Sequence, residues 1–252
     1  MRAVRVIGIG PGGPDQLTVE AVHALDDVDV FLVADKGEAS RDLLALRAEV
    51  LRRHTSGRAR VVDVSDPERD RSEHDGASYG RAVADWHEAR AAAFERAMLY
   101  EVGPGETAGF LVWGDPSLYD STLRIVERVL ERGALSFPYD VVPGVSSVQL
   151  LAARHRIVLH RVGEPVTVTT GRRLADEVAA GRDNLVVMLD GRLRCADLDG
   201  DWDLWWGANL GTPDEVLAAG RVAEVLPLVR TLREDARRKR GWVMDTYLLR
   251  RS

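Results

Sequence analysis

The sequence predicts an α/β protein of two α/β domains, with residues 1–115 forming an N-terminal domain and residues 116–252 a C-terminal domain. Short apolar runs alternate with amphipathic helical segments through the first half of the chain. That alternation is typical of a mostly parallel sheet covered by helices. Beyond Asp115 the apolar runs follow one another less regularly, which predicts a mixed sheet in the second domain. A chain of 252 residues is long enough to bury two such cores.

Apolar runs between turn residues predict the strands of the first domain, namely Val4–Ile9, Val28–Ala34, Arg60–Val64 and Phe110–Trp113. Val28–Ala34 is almost entirely apolar, as expected for a strand that is buried on both faces. The predicted helices are Thr18–Leu25, Leu43–Leu51 and a longer helix with the apolar stripe Val83, Trp86, Phe94 and Ala97. We expect Thr18 to cap the first helix, because its side-chain oxygen can accept a backbone hydrogen bond. The polar, charge-dense segment Ser65–Gly80 is predicted to be a loop.

Five further strands are predicted after Asp115, namely Asp140–Val142, Val166–Thr170, Leu185–Leu189, Leu204–Ala208 and Trp242–Leu249. Three tryptophans, Trp202, Trp205 and Trp206, lie close together in this region. As strand residues they are expected chiefly in the core, and stacking on a ligand ring is the alternative interpretation.

The composition excludes several classes of protein. The net charge of -6 argues against general affinity for nucleic acid. Cys195 is the single cysteine, so the chain cannot form an internal disulfide or a thiolate metal cluster. The six histidines show no metal-binding spacing, and no metal is expected. No apolar run approaches the roughly 20 residues that span a bilayer, and no signal-peptide pattern is seen, so a cytoplasmic location is expected.

The first strand ends in the glycine-rich loop "VIGIGPGGPDQLT", which contains the dinucleotide-binding pattern G-x-G-x-x-G. Asp35 lies 22 positions beyond Gly13 (35 − 13) and matches the acidic residue of that pattern. However, Pro11 has no N–H to offer a phosphate, and Pro14 delays the start of the following helix. The loop alone therefore leaves open a dinucleotide site, a site for another ligand, and a turn that only makes room for packing.

Three further turns sit at predicted strand ends, where open α/β sheets bind ligands. They are "GDPSLY" at Gly114–Tyr119, "PGVSS" at Pro143–Ser147 and "WWGANLGTPDE" at Trp205–Glu215. Taken in order with the first loop, they resemble the tetrapyrrole methylase family over nearly the whole chain. The resemblance implies two α/β domains with an active-site trough between them. It also implies methyl transfer from S-adenosylmethionine, which yields S-adenosylhomocysteine, to a porphyrinogen-derived ring.

The resemblance also implies which residues contact the cofactor. Matched onto this sequence, they are Pro11, Gly114, Asp115, Pro116, Leu118, Ser146, Ser147, Met188 and Ala208. The alignment has no sharp anchor at Met188 or Ala208. Asp115 has an alternative role as a helix cap, and Met188 as a core residue.

Catalytic and substrate-binding residues are predicted on chemical grounds. Asp35 is the candidate general base or substrate orienter because it ends a strand; its alternative role is a helix cap or a salt bridge. Tyr119 is the second candidate catalytic residue, and its alternative role is packing. The implied substrate is an anionic tetrapyrrole, which an acidic protein can hold only with locally gathered arginines. The predicted substrate-binding residues are Arg41, Arg47, Arg172 and Arg173, with Arg69 and Arg71 as further candidates. The alternative is that these arginines lie on solvated helix faces and bind no ligand.

Within the family, four stretches resemble the members that methylate precorrin-5 at ring carbon C1 and release acetate. They are "ADKGEASRDLLALR" at Ala34–Arg47, "DPERDR" at Asp66–Arg71, "AVADWHEAR" at Ala82–Arg90 and the late "WWGANLGTPDE". Other members of the family, of the precorrin-4 or diphthine type, are the nearest alternatives, and an NAD-dependent oxidoreductase is a more distant one. Family members commonly form homodimers, so we expect a two-fold dimer with no nucleic-acid or membrane partner.

Overall fold

A computed structural model describes residues 1–35, 41–67 and 76–252. The chain divides into two compact units. The first comprises Met1–Gly10 and Pro14–Val145, and the second comprises Pro11–Gly13 and Ser146–Ser252. The first unit thus extends beyond the boundary that we predicted after Asp115, because the next helix and strand both pack on its core.

The first unit contains an all-parallel five-stranded sheet in the order β3-β2-β4-β1-β5. Its strands are β1 (Ala3–Gly8), β2 (Val30–Asp35), β3 (Arg60–Ser65), β4 (Thr107–Val112) and β5 (Tyr139–Val142). Its helices are α1 (Val19–Asp26), α2 (Arg41–His54), α3 (Gly76–Glu101) and α4 (Thr122–Glu131). The mostly parallel sheet predicted for this part of the chain is confirmed.

Helices cover both faces of the first sheet. Successive strand residues such as Val6 and Ile7 point to opposite faces and join different cores. One core contains Phe94 and Met98 of α3 and Ile125 of α4, and the other contains Ala21, Ala24 and Leu25 of α1. Burial of both faces explains why these strands are almost continuously apolar in sequence.

The second unit contains a mixed five-stranded sheet in the order β6-β7-β10-β8-β9, in which only β6 and β7 are parallel neighbours. Its strands are β6 (Thr167–Thr170), β7 (Asn184–Met188), β8 (Trp202–Ala208), β9 (Val216–Arg221) and β10 (Asp245–Arg251). Its helices are α5 (Ser147–His155), α6 (Leu174–Ala179) and α7 (Val222–Arg240). The predicted mixed sheet is confirmed.

The core of the second unit encloses a polar network. Trp202 and Trp206 are fully buried in it, as the strand pattern predicted, while Trp205 is half-buried. Asp245 accepts hydrogen bonds from Trp206 Nε1 at 3.0 Å and from Arg233 Nε at 2.8 Å. Burial raises the pKa of Asp245 even though Arg233 and Trp206 pull it down. The network therefore compensates a carboxylate that would otherwise be costly to bury.

Two sequence-based element boundaries are wrong. The loop predicted over Ser65–Gly80 is too long, because α3 begins at Gly76; residues 68–75, with Arg69 and Arg71, lie outside the described part of the chain. The last strand begins at Asp245 rather than at Trp242, since pairing with β8 starts at Asp245. Among the described residues, no helix is long and apolar enough to cross a membrane. No group of three or more potential metal ligands is found among them either.

Candidate functional site

The carboxyl ends of β1 and β4 form the most distinctive edge of the first sheet. These strands are neighbours, and the helices that follow them, α1 and α4, cover opposite faces of the sheet. In open α/β sheets, ligands bind outside the carboxyl ends of strands at such a position.

Backbone groups meet closely at this edge. Gly10 and Gly114 form an antiparallel bridge, in which Gly114 N donates to Gly10 O at 2.8 Å and Gly10 N donates to Gly114 O at 3.3 Å. Both glycines have left-handed backbone, with φ of 77° and 71°. A Cβ atom at Gly144 would overlap the carbonyl oxygen of Gly114 and lie 2.9 Å from Gly8 Cα. These positions therefore require glycine, both for conformation and for space.

Asp115 holds the turn that follows β4. Its Oδ1 accepts from Ser117 N at 2.8 Å and from the Ser117 hydroxyl, and its Oδ2 accepts from Gly144 N at 2.9 Å. Leu118 N donates to Asp115 O at 3.1 Å and closes a β-turn with Pro116 at its second position. The carboxylate thus ties the turn after β4 to the chain after β5.

The local environment keeps Asp115 ionised. Burial pushes the pKa of its carboxyl upward, but the hydrogen bonds from Ser117 and Gly144 outweigh that effect and lower the pKa. Asp115 caps no helix, because α4 begins at Thr122, whose N–H donates to Asp120. Its two carboxylate oxygens are already engaged, so the groups that this turn can offer a ligand are chiefly backbone groups.

Ser146 occupies the N-cap of α5 within the second unit. Its hydroxyl accepts from Gln149 N at 3.3 Å, and Ser146 N donates to Gln149 Oε1 at 2.7 Å, which completes a capping box. Ser147, the first residue of α5, is half-buried. The structure therefore gives the Ser146 side chain a capping role that sequence reasoning had not assigned.

The remaining residues matched to cofactor contacts lie at one edge of the second sheet. Met188 ends β7 and pairs with Thr246 of β10, while Ala208 ends β8 and pairs with Asp245, the residue before Thr246. The loop that carries Pro11 packs on the turn after β8, since a Cβ atom at Gly12 would lie 2.6 Å from Leu210 O. Pro11 thus belongs to the second unit together with Met188 and Ala208, and its loop lies against the turn that follows Ala208.

The predicted catalytic residues both lie at exposed positions. Asp35 is the last residue of β2, and its carbonyl accepts from Asp66 N at 3.0 Å. Tyr119 has left-handed backbone, with φ of 54°, and is 46% exposed. Both residues follow or end strands at the edge of the first sheet where the carboxyl ends of its strands lie.

The predicted substrate arginines have different surroundings. The Arg41 side chain lies outside the described residues. Arg172 and Arg173 are exposed in a 3-10 helix, Gly171–Arg173, and Arg173 pairs with Asp176 at 3.5 Å and Glu177 at 4.0 Å on the following helix. Arg47, in contrast, is half-buried, and its shielded Nε makes no hydrogen bond to any described residue.

A buried charge cluster beside Arg47 was missed by sequence reasoning. Arg90 of α3 forms an ion pair with Asp66, which follows β3, at 2.6 Å, and donates to Ser121 Oγ at 2.9 Å. The only sequence signal was an arginine next to the apolar stripe of a long helix. Its partners stand 24 (90 − 66) and 31 (121 − 90) positions away, so only the tertiary fold brings them together.

Comparison with known proteins identifies similar sequences over most of the chain. The family model for Tetrapyrrole (Corrin/Porphyrin) Methylases matches residues 3–226. A precorrin-6A synthase (deacetylating) from Sinorhizobium sp is 46% identical over 253 residues, which cover 100% of this chain and 96% of that protein. A precorrin-2 C(20)-methyltransferase from the same source is 28% identical, over 74% of this chain and 72% of that protein.

Solved structures show the same fold. A cobalamin synthesis related protein (CobF) from Corynebacterium diphtheriae aligns with a TM-score of 0.85 at 39% identity, covering 99% of this chain and 98% of that one. The uroporphyrin-III C-methyl transferase from Thermus thermophilus, solved in complex with S-adenosyl homocysteine, aligns with a TM-score of 0.58 at 21% identity, covering 98% of this chain and 91% of that one. The second likeness concerns the fold alone.

Proposed function

The chain belongs to the tetrapyrrole (corrin/porphyrin) methylase family, and we propose that it methylates precorrin-5 at ring carbon C1, releasing acetate to give precorrin-6A in cobalamin biosynthesis. The observation that carries this proposal is the 46% identity to a precorrin-6A synthase along the whole chain. The 28% identity to a precorrin-2 methyltransferase over 74% of the chain is weaker support for another methylation position.

We propose S-adenosylmethionine as the cofactor, and the glycine loop fits it better than a dinucleotide. Helix α1 begins at Val19, beyond Pro14, so its N-terminal N–H groups do not follow directly on the glycines as a pyrophosphate site requires. A sulfonium cofactor has no pyrophosphate, and backbone groups can hold its adenosine and amino acid ends. When bound, it supplies a methyl group on a positively charged sulfur.

The protein contributes mainly by positioning. Methyl transfer needs an electron-rich ring carbon held in line with the methyl group at near-attack distance, and holding two reactants in that geometry supplies much of the rate enhancement. The Gly10–Gly114 bridge and the three hydrogen bonds to Asp115 fix the turn after β4. A rigid turn of this kind is suited to holding one reactant still.

Release of acetate needs a second activity. A water molecule must add to the acetyl carbonyl while one of its protons passes to a base. The bond from that carbonyl to the ring then breaks, acetate leaves, and the electron pair of that bond returns to the ring, which the transferred methyl group has made electron-poor. For the reaction as a whole, we propose Asp35 as a general base or substrate orienter and Tyr119 as a second catalytic residue. Their exposure at a ligand-binding edge of the sheet supports these roles.

The contact residues also remain proposals. We propose cofactor contacts at Pro11, Gly114, Asp115, Pro116, Leu118, Ser146, Ser147, Met188 and Ala208. For substrate carboxylates we propose Arg41, Arg47, Arg172 and Arg173, although the local ion pairs of Arg173 weaken its case. A two-fold homodimer and a cytoplasmic location are proposed from the family resemblance.

Cofactor binding can be tested with the purified protein. S-adenosylhomocysteine at about 100 times its dissociation constant should stabilise the protein by about 2.7 kcal/mol and raise the Tm by roughly 5–10 °C. NAD at the same concentration should leave the Tm unchanged. Stabilisation by NAD alone would instead favour the oxidoreductase alternative.

A further inference from the structure

We infer that Arg47 anchors a carboxylate-binding site at the edge of the first sheet, near the cluster of Arg90, Asp66 and Ser121. The inference rests on the proposed function only for the identity of the carboxylate, a side chain of the tetrapyrrole substrate. The site itself is argued from the side chains of the first unit.

Arg47 is a half-buried cation whose Nε has no hydrogen-bond partner among the described residues. It lies in α2, its Nε is shielded from solvent, and that atom has no acceptor among the described residues. The guanidinium forms no ion pair with any described carboxylate either. A shielded guanidinium nitrogen without an acceptor is costly, because a charged donor loses its water without gaining a partner, and an anion bound beside Arg47 would supply that acceptor.

The neighbouring arginine, by contrast, has a carboxylate partner. Arg90 and Asp66 are 9% and 7% exposed at their side chains, and their ion pair joins α3 to the end of β3. The Arg90 guanidinium also lies over the Trp86 ring, 4.7 Å from its centroid. Arg90 is therefore held in place, and its pairing with Asp66 leaves that carboxylate committed to Arg90 rather than to Arg47.

Among the described residues, the one carboxylate that acts on the pKa of Arg47 is Asp120, and it does so through space. Burial lowers the pKa of the Arg47 guanidinium, Asp120 raises it, and the positive charge of Arg90 lowers it again. Asp120 is not within ion-pair distance and already accepts a hydrogen bond from Thr122 N at 2.6 Å. A carboxylate arriving beside Arg47 would supply the acceptor that its Nε lacks.

Two sources could supply this carboxylate, the substrate side chains and the amino acid end of the cofactor. We assign it to the substrate, because Arg47 lies on α2, outside the turns matched to cofactor contacts. Separate titrations with one ligand of each kind distinguish the two sources.

The test uses the full-length protein and two ligands, uroporphyrin III as a stable polycarboxylate tetrapyrrole and S-adenosylhomocysteine. Replacing Arg47 by methionine (R47M) should weaken uroporphyrin binding by about tenfold or more, the range for a lost charge-assisted pair. Binding of S-adenosylhomocysteine should not change. The matched control R52M, on the same helix, removes an exposed arginine that pairs with Glu49 and should leave both affinities unchanged.

A stability measurement separates binding from folding. Because R47M removes an unpaired enclosed charge, its Tm should equal or exceed that of the wild type; a merely structural arginine would lower the Tm on replacement. Equal uroporphyrin affinity for R47M and the wild type would overturn the inference. Weaker binding of S-adenosylhomocysteine alone would overturn the assignment to the substrate.

Failure of the proposed function gives a different result. If the wild type binds no tetrapyrrole, sodium propionate serves as a minimal carboxylate in thermal unfolding, with sodium chloride at equal ionic strength as the reference. An extra rise in Tm for the wild type that R47M lacks would support the carboxylate site without its proposed substrate. Equal rises for the two proteins would overturn the site.

Discussion

Replacing Asp115 by asparagine tests the turn after β4 most directly. The Asp115 carboxylate accepts from Ser117 N at 2.8 Å, from Gly144 N at 2.9 Å and from the Ser117 hydroxyl. An asparagine has the same shape but presents one N–H₂ group in place of an oxygen. One backbone N–H will therefore face another donor instead of an acceptor.

The expected loss follows from these contacts. A hydrogen bond to a charged group contributes about 1.5–3 kcal/mol. Because Asp115 is partly exposed, we expect D115N to lower the free energy of unfolding by about 1–2 kcal/mol. For a chain of this size that corresponds to a Tm lowered by roughly 2–8 °C. Affinity for S-adenosylhomocysteine should fall as well, because the displaced turn no longer presents its backbone groups.

The pH dependence adds a second readout, with its sign set by the lowered pKa of Asp115. A lowered pKa means that the carboxylate contributes stability above its ordinary pKa of 3.8 and loses that contribution as the pH falls through the lowered value. The difference in Tm between the wild type and D115N should therefore be largest near neutral pH and shrink in acid. S117A is the control, since it removes one donor and keeps both backbone N–H groups. Equal stability of D115N and the wild type near pH 7 would refute this account of the turn.

Three further predictions concern other parts of the fold. Gly144→Ala should lower the free energy of unfolding by about 1–3 kcal/mol, because its Cβ would overlap Gly114 O. A variant that unfolds in denaturant at the same midpoint as the wild type would contradict this. Burial raises the pKa of Cys195 to about 12, so Ellman's reagent at about pH 8 should react only after denaturation; rapid reaction of the folded protein would argue against that burial. Trp206→Phe should cost about 1–3 kcal/mol by removing a donor to buried Asp245; a neutral effect in urea unfolding would show that the donor is dispensable.

The sequence predicts the first unit well because its local signals agree with its tertiary structure. Thr18 is the N-cap of α1 and accepts from Ala21 N at 3.0 Å, as expected. Pro14 does precede a delayed helix, and the apolar runs correspond to strands β1 to β4 within a few residues. Each of these signals depends on neighbours within a few positions.

Elements with weak patterns are not predicted. The strand β9, Val216–Arg221, stands at the edge of its sheet, and its apolar run is only four residues long, Val216–Ala219, before a glycine and an exposed arginine. The three residues before Asp245 extend an apolar pattern without pairing in the sheet, which is why the last strand was placed too early. The position of β5 beside β1 depends on a crossover that periodicity does not reveal.

The candidate site is only partly visible in the sequence. The spacing of glycine and proline turns locates Gly114–Leu118, but it cannot show that the Asp115 side chain reaches Gly144. Nor can it show that the Ser146 hydroxyl is used in a capping box. Arg47 is predicted from its charge and position, while the absence of a partner for its Nε, judged within the described residues, emerges only from the packing.

The most direct test of the proposed function is a single turnover with methyl-labelled S-adenosylmethionine and precorrin-5. The account predicts one labelled methyl group per tetrapyrrole, detected by mass spectrometry, and one equivalent of free acetate, measured in the same reaction. Excess S-adenosylhomocysteine should suppress both products together. Labelling of a different precorrin, with no methyl transfer to precorrin-5 and no acetate released, would contradict the account.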